Sequence, residues 1–148
     1  METESFFAAL LMGHIIGDYL LQPKKWAQVK YRPGVTNGWY CALHCVVYAT
    51  AVTLTTFPWV ELDLVGPWWA FIFVTHYLVD RHSLADHWLR LIKGRHFRGY
   101  SNGHSSGRTM ALEGGFYAVV YTVVDNGIHL LVSYYGVKLF AGPSIFEL

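Results

Sequence analysis

Charge is what this sequence has least of. Only 14% of its 148 residues are Asp, Glu, Lys or Arg, where an average soluble domain carries roughly 25%. A deficit of that size argues against an ordinary soluble protein, a disordered tail and a nucleic-acid module. Formal net charge is only +1, so bulk attraction to phosphate is not the theme. Cysteine is scarce too. Cys41 and Cys45 lie inside an apolar run, which implies buried free thiols rather than an extracellular disulfide framework; metal ligation by them is the lesser reading. The first residues are acidic rather than basic and no small-residue cleavage site follows, so no secretory signal is expected. No internal repeat of fixed period and no low-complexity tract is visible.

What is present is apolar surface, at 53% hydrophobic and 17% aromatic residues. Mean hydropathy is modest for a membrane protein, so the charges must be unevenly placed. From Pro33 to Val60 there is no Asp, Glu, Lys or Arg, and from Leu64 to Val79 none again. Ser5 to Pro23 holds only Asp18, and Gly114 to Val137 only Asp125. A bilayer core takes about 20 mostly apolar residues per helix. Four spans follow, roughly 5–22, 38–57, 66–88 and 114–140. A soluble all-α core is the alternative, but a chain this small has too little polar surface to solvate four such helices. The expected fold is therefore all-α: a polytopic membrane protein of four transmembrane helices in a bundle. It forms a single domain over 1–148, with a Gly/Arg-rich loop at about 93–115. Pro and Gly punctuate every connection.

Lys and Arg set the orientation. Lys24, Lys25, Lys30 and Arg32 follow the first span, and Arg90, Lys93, Arg95, Arg98 and Arg108 lie between the third and fourth. With four spans both groups fall on one side. The basic loops are then cytoplasmic and both termini outside.

Ionisable residues inside a membrane are costly and mark function by default. Here they are patterned. His14 and Asp18, His76 and Asp80, and Asp125 and His129 are each spaced i, i+4, which puts both members on one helix face. His44 is the second span's contribution, with Tyr48 above it. At 1.5 Å per residue, His44 lies about 9 Å from the cytoplasmic end of its span. His76 and Asp80 lie about 15–21 Å down theirs from the other side, and Asp125 and His129 about 16 and 22 Å into the last. The first five of these seven share the cytoplasmic half, and the last pair joins them if the fourth span tilts. Imidazole and carboxylate are ligands of Zn²⁺, Mn²⁺ and Fe²⁺. A metal would also neutralise carboxylates that the bilayer penalises. The expectation is one or two divalent ions, Zn²⁺ first and Mn²⁺ or Fe²⁺ as alternatives, held among His14, Asp18, His44, His76, Asp80, Asp125 and His129. Polar hydrogen-bonded glue between helices is the competing reading. Bis-His haem ligation would leave the Asp residues unexplained.

The third span continues through His82, Asp86 and His87. His82 and Asp86 form a further i, i+4 pair, and His87 falls near the Asp80 face seven residues on. This end serves a proton shuttle or a substrate contact, or is a solvated helix end. The loop Gly94–Arg108 combines Gly with Arg95, Arg98 and Arg108, a composition suited to an anionic headgroup or phosphorylated substrate, or to anionic lipid alone.

The string His14-Ile-Ile-Gly-Asp18-Tyr-Leu-Leu-Gln22 resembles the opening signature, H-x-x-G-D-[FY]-L-L-Q, of an uncharacterised family of small integral membrane proteins in bacteria and their phages. The family pattern continues with a His in the second helix, a His and an Asp in the third, and an Asp-x-x-x-His element in the last. His44, His76, Asp80, Asp125 and His129 match these in order, so the resemblance spans roughly residues 10–130. Asn126 stands where family members often have Gln. The resemblance implies a bacterial inner-membrane location and brings no established activity. By analogy of style only, it points to inner-membrane metal-dependent hydrolases.

Three functions are therefore weighed. The first is a membrane-embedded metal-dependent hydrolase. Its metal activates water, Asp18 or Asp80 is the general base, and Arg95, Arg98, Arg108 and His87 contact a lipid-like or phosphorylated substrate entering from the cytoplasmic side. The second is a metal-binding or metal-transporting protein without turnover. Four spans without a repeat would supply its two gates only through a homo-oligomer. The third is a structural or partner-binding membrane protein. No nucleic-acid partner is expected.

Overall fold

The computed structural model describes residues 2–30, 32, 34–93 and 107–140. The described residues are all-helical, with no strand among them. In chain order the α-helices are α1 (Glu2–Ile15), α2 (Lys24–Val29), α3 (Val35–Thr56), α4 (Val65–Arg81), α5 (Leu84–Lys93) and α6 (Gly107–Phe140). Among the described residues three segments are long and apolar enough to cross a membrane: Val35–Trp59, Leu62–Arg81 and Gly114–Val137. The first helix is not one of them. It pairs 14 α residues with a π segment, Ile16–Leu20, and begins with Glu2 and Glu4.

Two compact units emerge, Met1–His82 with His129–Leu148, and Ser83–Ile128. In the first, α3 lies centrally and packs against α1 and α4. It can run 22 residues because it carries neither charge nor proline. The hydroxyls near its C-terminal end are satisfied within the helix: Thr55 Oγ1 donates to Ala51 O and Thr56 Oγ1 to Val52 O, the latter at 2.7 Å. Pro58 then turns the chain through a short 3₁₀ segment, Phe57–Trp59. The indole Nε1 of Trp68 donates to Thr56 Oγ1 at 3.0 Å and ties α4 to that end of α3. Phe6, Leu10, Tyr48, Val52, Trp68 and Ile72 form much of the apolar core.

Close approach of α1 to α3 depends on two glycines spaced i, i+4. A Cβ at Gly13 would fall 2.7 Å from Val52 Cα, and one at Gly17 2.9 Å from Tyr48 Cα. This is the small-xxx-small device of membrane helix pairs. It sits just where the π turn forms, with Leu21 N–H donating to Ile16 O at 2.9 Å.

The structure corrects three sequence expectations about elements. The third span does not run on to residue 88. α4 ends at Arg81, Ser83 adopts φ +50°, and α5 restarts at Leu84. The one-helix register that linked His82 to Asp86 and Asp80 to His87 is thereby lost. No Gly or Pro marks this break, so the usual breaker signal is missing. The segment 23–38 contains a short helix, α2, launched by Pro23. α6 begins at Gly107, so the segment read as a loop to about 115 is helical over its last part.

In the second unit, Ala85 and Leu89 of α5 and Tyr117 of α6 are buried. Asp86 accepts a hydrogen bond from Tyr117 at 3.1 Å and pairs with Arg90 at 2.5 Å.

Candidate metal centre

The first unit inverts the usual sorting of polar and apolar side chains. His14, His44, His76, Asp80 and His129 are buried, while Leu11, Met12, Leu43, Leu54, Val74 and Leu131 are exposed. In water that arrangement leaves apolar surface unburied and charges desolvated.

The buried groups come from four segments. The π turn supplies Asp18, α3 His44, α4 His76 and Asp80, and α6 His129. Four of their atoms converge. His44 Nε2 lies 2.9 Å from His76 Nε2, 3.1 Å from Asp18 Oδ1 and 3.2 Å from Asp80 Oδ2. His76 Nε2 lies 3.4 Å from each of those two carboxylate oxygens. A tetrahedral Zn²⁺ site with N and O ligands near 2.0–2.1 Å has ligand–ligand edges of about 3.3 Å. All five contacts lie close to that length. Asp18 Oδ1 accepts no hydrogen bond of normal geometry from the described residues despite these short distances, while Asp80 Oδ2 is also met by a lysine, Lys30.

The outer carboxylate oxygens are met by two more histidines. His14 Nδ1 lies 3.5 Å from Asp18 Oδ2, and His129 Nε2 3.4 Å from Asp80 Oδ1. Such contacts orient ligating carboxylates. His76, Asp80 and His129 also form an overlapping three-ligand set. The His76 ring stacks with two others, Tyr48 at 3.6 Å between centroids and His129 at 4.0 Å. The Tyr48 hydroxyl lies 2.9 Å from His14 Nδ1.

Six of the seven predicted ligands are thus brought together, four inside and two behind them. Asp125 belongs to the second unit and is half-buried there. His87 is in that unit as well, exposed, with Nδ1 3.1 Å from Ser83 O. Arg95 and Arg98 lie outside the described residues, as does the Arg108 side chain.

Sequence reasoning missed Lys30. Its Nζ is 2.6 Å from Asp80 Oδ2, and both side chains are largely buried. Arg81 fixes the backbone that carries it, donating to Lys30 O at 3.3 Å, to Arg32 O, and to Gly34 O at 3.4 Å. The signal available was a lysine ending a short helix after Pro23. It was read only as loop charge.

The class these features define is a helical protein of membrane-length apolar helices around a buried His–Asp cluster. The chain belongs to the family described as protein of unknown function (DUF3307), whose model matches residues 6–133. No curated protein and no solved structure matches it.

Proposed function

We propose that this is an integral membrane protein of four spans, basic loops cytoplasmic, that holds a divalent metal ion, Zn²⁺ first, on Asp18, His44, His76 and Asp80. The convergence of His44 Nε2 and His76 Nε2 on each other and on both carboxylate oxygens, at 2.9–3.4 Å, carries the reading. Buried polar groups inside and exposed leucines outside support the membrane placement. The first helix enters as the fourth span by pairing with α3 through Gly13 and Gly17.

The chemistry best suited to such a site is metal-assisted hydrolysis. A bound Zn²⁺ would supply a Lewis acid, and a water acidified toward neutral pH once one of the four side chains yields its position to that water. Asp18 and Asp80 each keep a second oxygen, backed by His14 and His129, to hold a proton beside that water. A groove of about 630 Å³ between α3 and α4, lined by Trp39, Phe73, Tyr77 and Arg81, suits a lipid-like substrate.

The test is elemental mass spectrometry of detergent-purified protein, wild type beside His44→Ala and His76→Ala. One equivalent of Zn, Mn or Fe bound at this centre in the wild type, and missing from both variants, is expected. Full metal retention in both variants would overturn the assignment. A second reading has its own observation: the Lys30–Asp80 pair neutralises one carboxylate without a metal. On that reading the cluster is an intramembrane hydrogen-bond network, and the wild type binds no metal even after reconstitution.

A further inference from the structure

Cys41, His44, Cys45 and Tyr48 share one buried face of α3, at i, i+3, i+4 and i+7. Both thiols are fully buried. A buried cysteine ordinarily packs as a small hydrophobe. These two instead lie one helical turn apart with a carboxylate beside both. One ligand atom from each of Cys41, Cys45 and Asp80 lies within 4.8 Å of the other two, and the Asp80 side chain is itself only 1% exposed. Asp80 thus belongs to two groups of ligands, one of imidazoles and one of thiols.

From this juxtaposition we infer a second metal site, made by Cys41, Cys45 and Asp80 and taking a soft divalent ion of the zinc class. Two thiolates and a carboxylate suit Zn²⁺ and leave its fourth position for water or a substrate atom. Coordination requires each thiol to release its proton. One Zn²⁺ arriving and two protons leaving adds no net charge to a buried region, so the desolvation penalty does not grow. The corner already favours a cation. The Lys30 ammonium already sits 2.6 Å from Asp80. The four-carbon stem of Lys30 can swing the ammonium out to solvent as the ion arrives. Asp80 would then be shared, one carboxylate serving two ions, as in binuclear centres built inside helix bundles. In its shared ligand the inference rests on the metal-centre reading above. In its thiolates it stands apart from it.

Cobalt(II) loading of the full chain in detergent tests this directly, because Co²⁺–thiolate bonds absorb in the near ultraviolet and Co²⁺–imidazole bonds do not. Three proteins are loaded: wild type, the double variant Cys41→Ser, Cys45→Ser, and the double variant His44→Ala, His76→Ala. Two equivalents and a thiolate band are expected in the wild type. The cysteine variant should keep one equivalent without the band, and the histidine variant one equivalent with it. Wild-type protein that binds cobalt without the band overturns the second site, and needs no variant to fold. If that single equivalent disappears in the histidine variant, the first centre stands alone. A single equivalent that shows the band and survives in the histidine variant upholds the second site and overturns the first. No bound cobalt overturns both.

Discussion

Tyr48 lies flat on His76, with ring centroids 3.6 Å apart and planes 18° from parallel, while its hydroxyl reaches His14 on another helix. One residue of α3 therefore sets the ring of a proposed ligand and the position of the histidine behind Asp18. The two jobs separate by substitution. Tyr48→Phe keeps the stack and removes the hydroxyl's bond to His14, a loss of about 1 kcal/mol. Tyr48→Ala also removes the ring, a loss of about 3–5 kcal/mol. Thermal unfolding in detergent should rank them wild type, Phe, Ala, with the Phe variant retaining metal.

The glycine pair gives a packing prediction. A methyl group at Gly17 must displace the Tyr48 backbone, and one at Gly13 that of Val52. Overpacking of this kind costs about 1–3 kcal/mol. Gly17→Ala should also lower metal occupancy, because Asp18 moves with the π turn. Gly66→Ala is the control, since a Cβ there meets nothing within 4 Å. Equal melting temperatures for Gly17→Ala and Gly66→Ala would refute the close-approach argument.

Lys30 offers a prediction in which metal and protein charge compete for Asp80. Removing one partner of a buried pair costs about 3–5 kcal/mol when the other charge is left uncompensated. In Lys30→Met, a bound metal would provide that compensation. The variant should therefore melt far below wild type in excess chelator and much nearer to it with Zn²⁺ added. An equal deficit in both conditions would show that Asp80 is not a metal ligand.

How much of this was legible in the chain follows from what a bilayer penalises. His14, Asp18, His44, His76 and Asp80 stand out because each interrupts an apolar run, and i, i+4 spacing puts each pair on one face. Their convergence agrees with that reading. Helical spacing carries no information beyond the helix's own end, and the end of α4 is set by Ser83 in a left-handed conformation that His82-Ser83-Leu84 does not announce. His87 was drawn toward Asp80 for that reason alone. Lys30 was hidden differently. Its partner is 50 residues away in sequence, and the link depends on Arg81 gripping three backbone carbonyls, a contact no periodicity encodes. Gly13 and Gly17 were readable as a small-xxx-small pair but were overshadowed by the acidic motif they flank.

The histidines behind the carboxylates supply the last prediction, which separates ligands from their supports. His14 meets Asp18 on the oxygen that faces away from His44, and His129 does the same for Asp80. Neither needs to touch a metal to matter, because a carboxylate left to rotate loses the orientation its ligating oxygen requires. Outer partners of this kind typically change metal affinity by about 10–100-fold, whereas losing an inner ligand abolishes stoichiometric binding. Competition titrations with a graded series of chelators should therefore divide the variants into two groups. His44→Ala, His76→Ala and Asp18→Ala should lack this centre's equivalent at every chelator strength. His14→Gln and His129→Gln should hold a full equivalent against weak chelators and release it to strong ones that wild type resists. If His129→Gln behaves like His76→Ala, the ligand set is the overlapping one of His76, Asp80 and His129, and Asp18 becomes the support rather than the ligand.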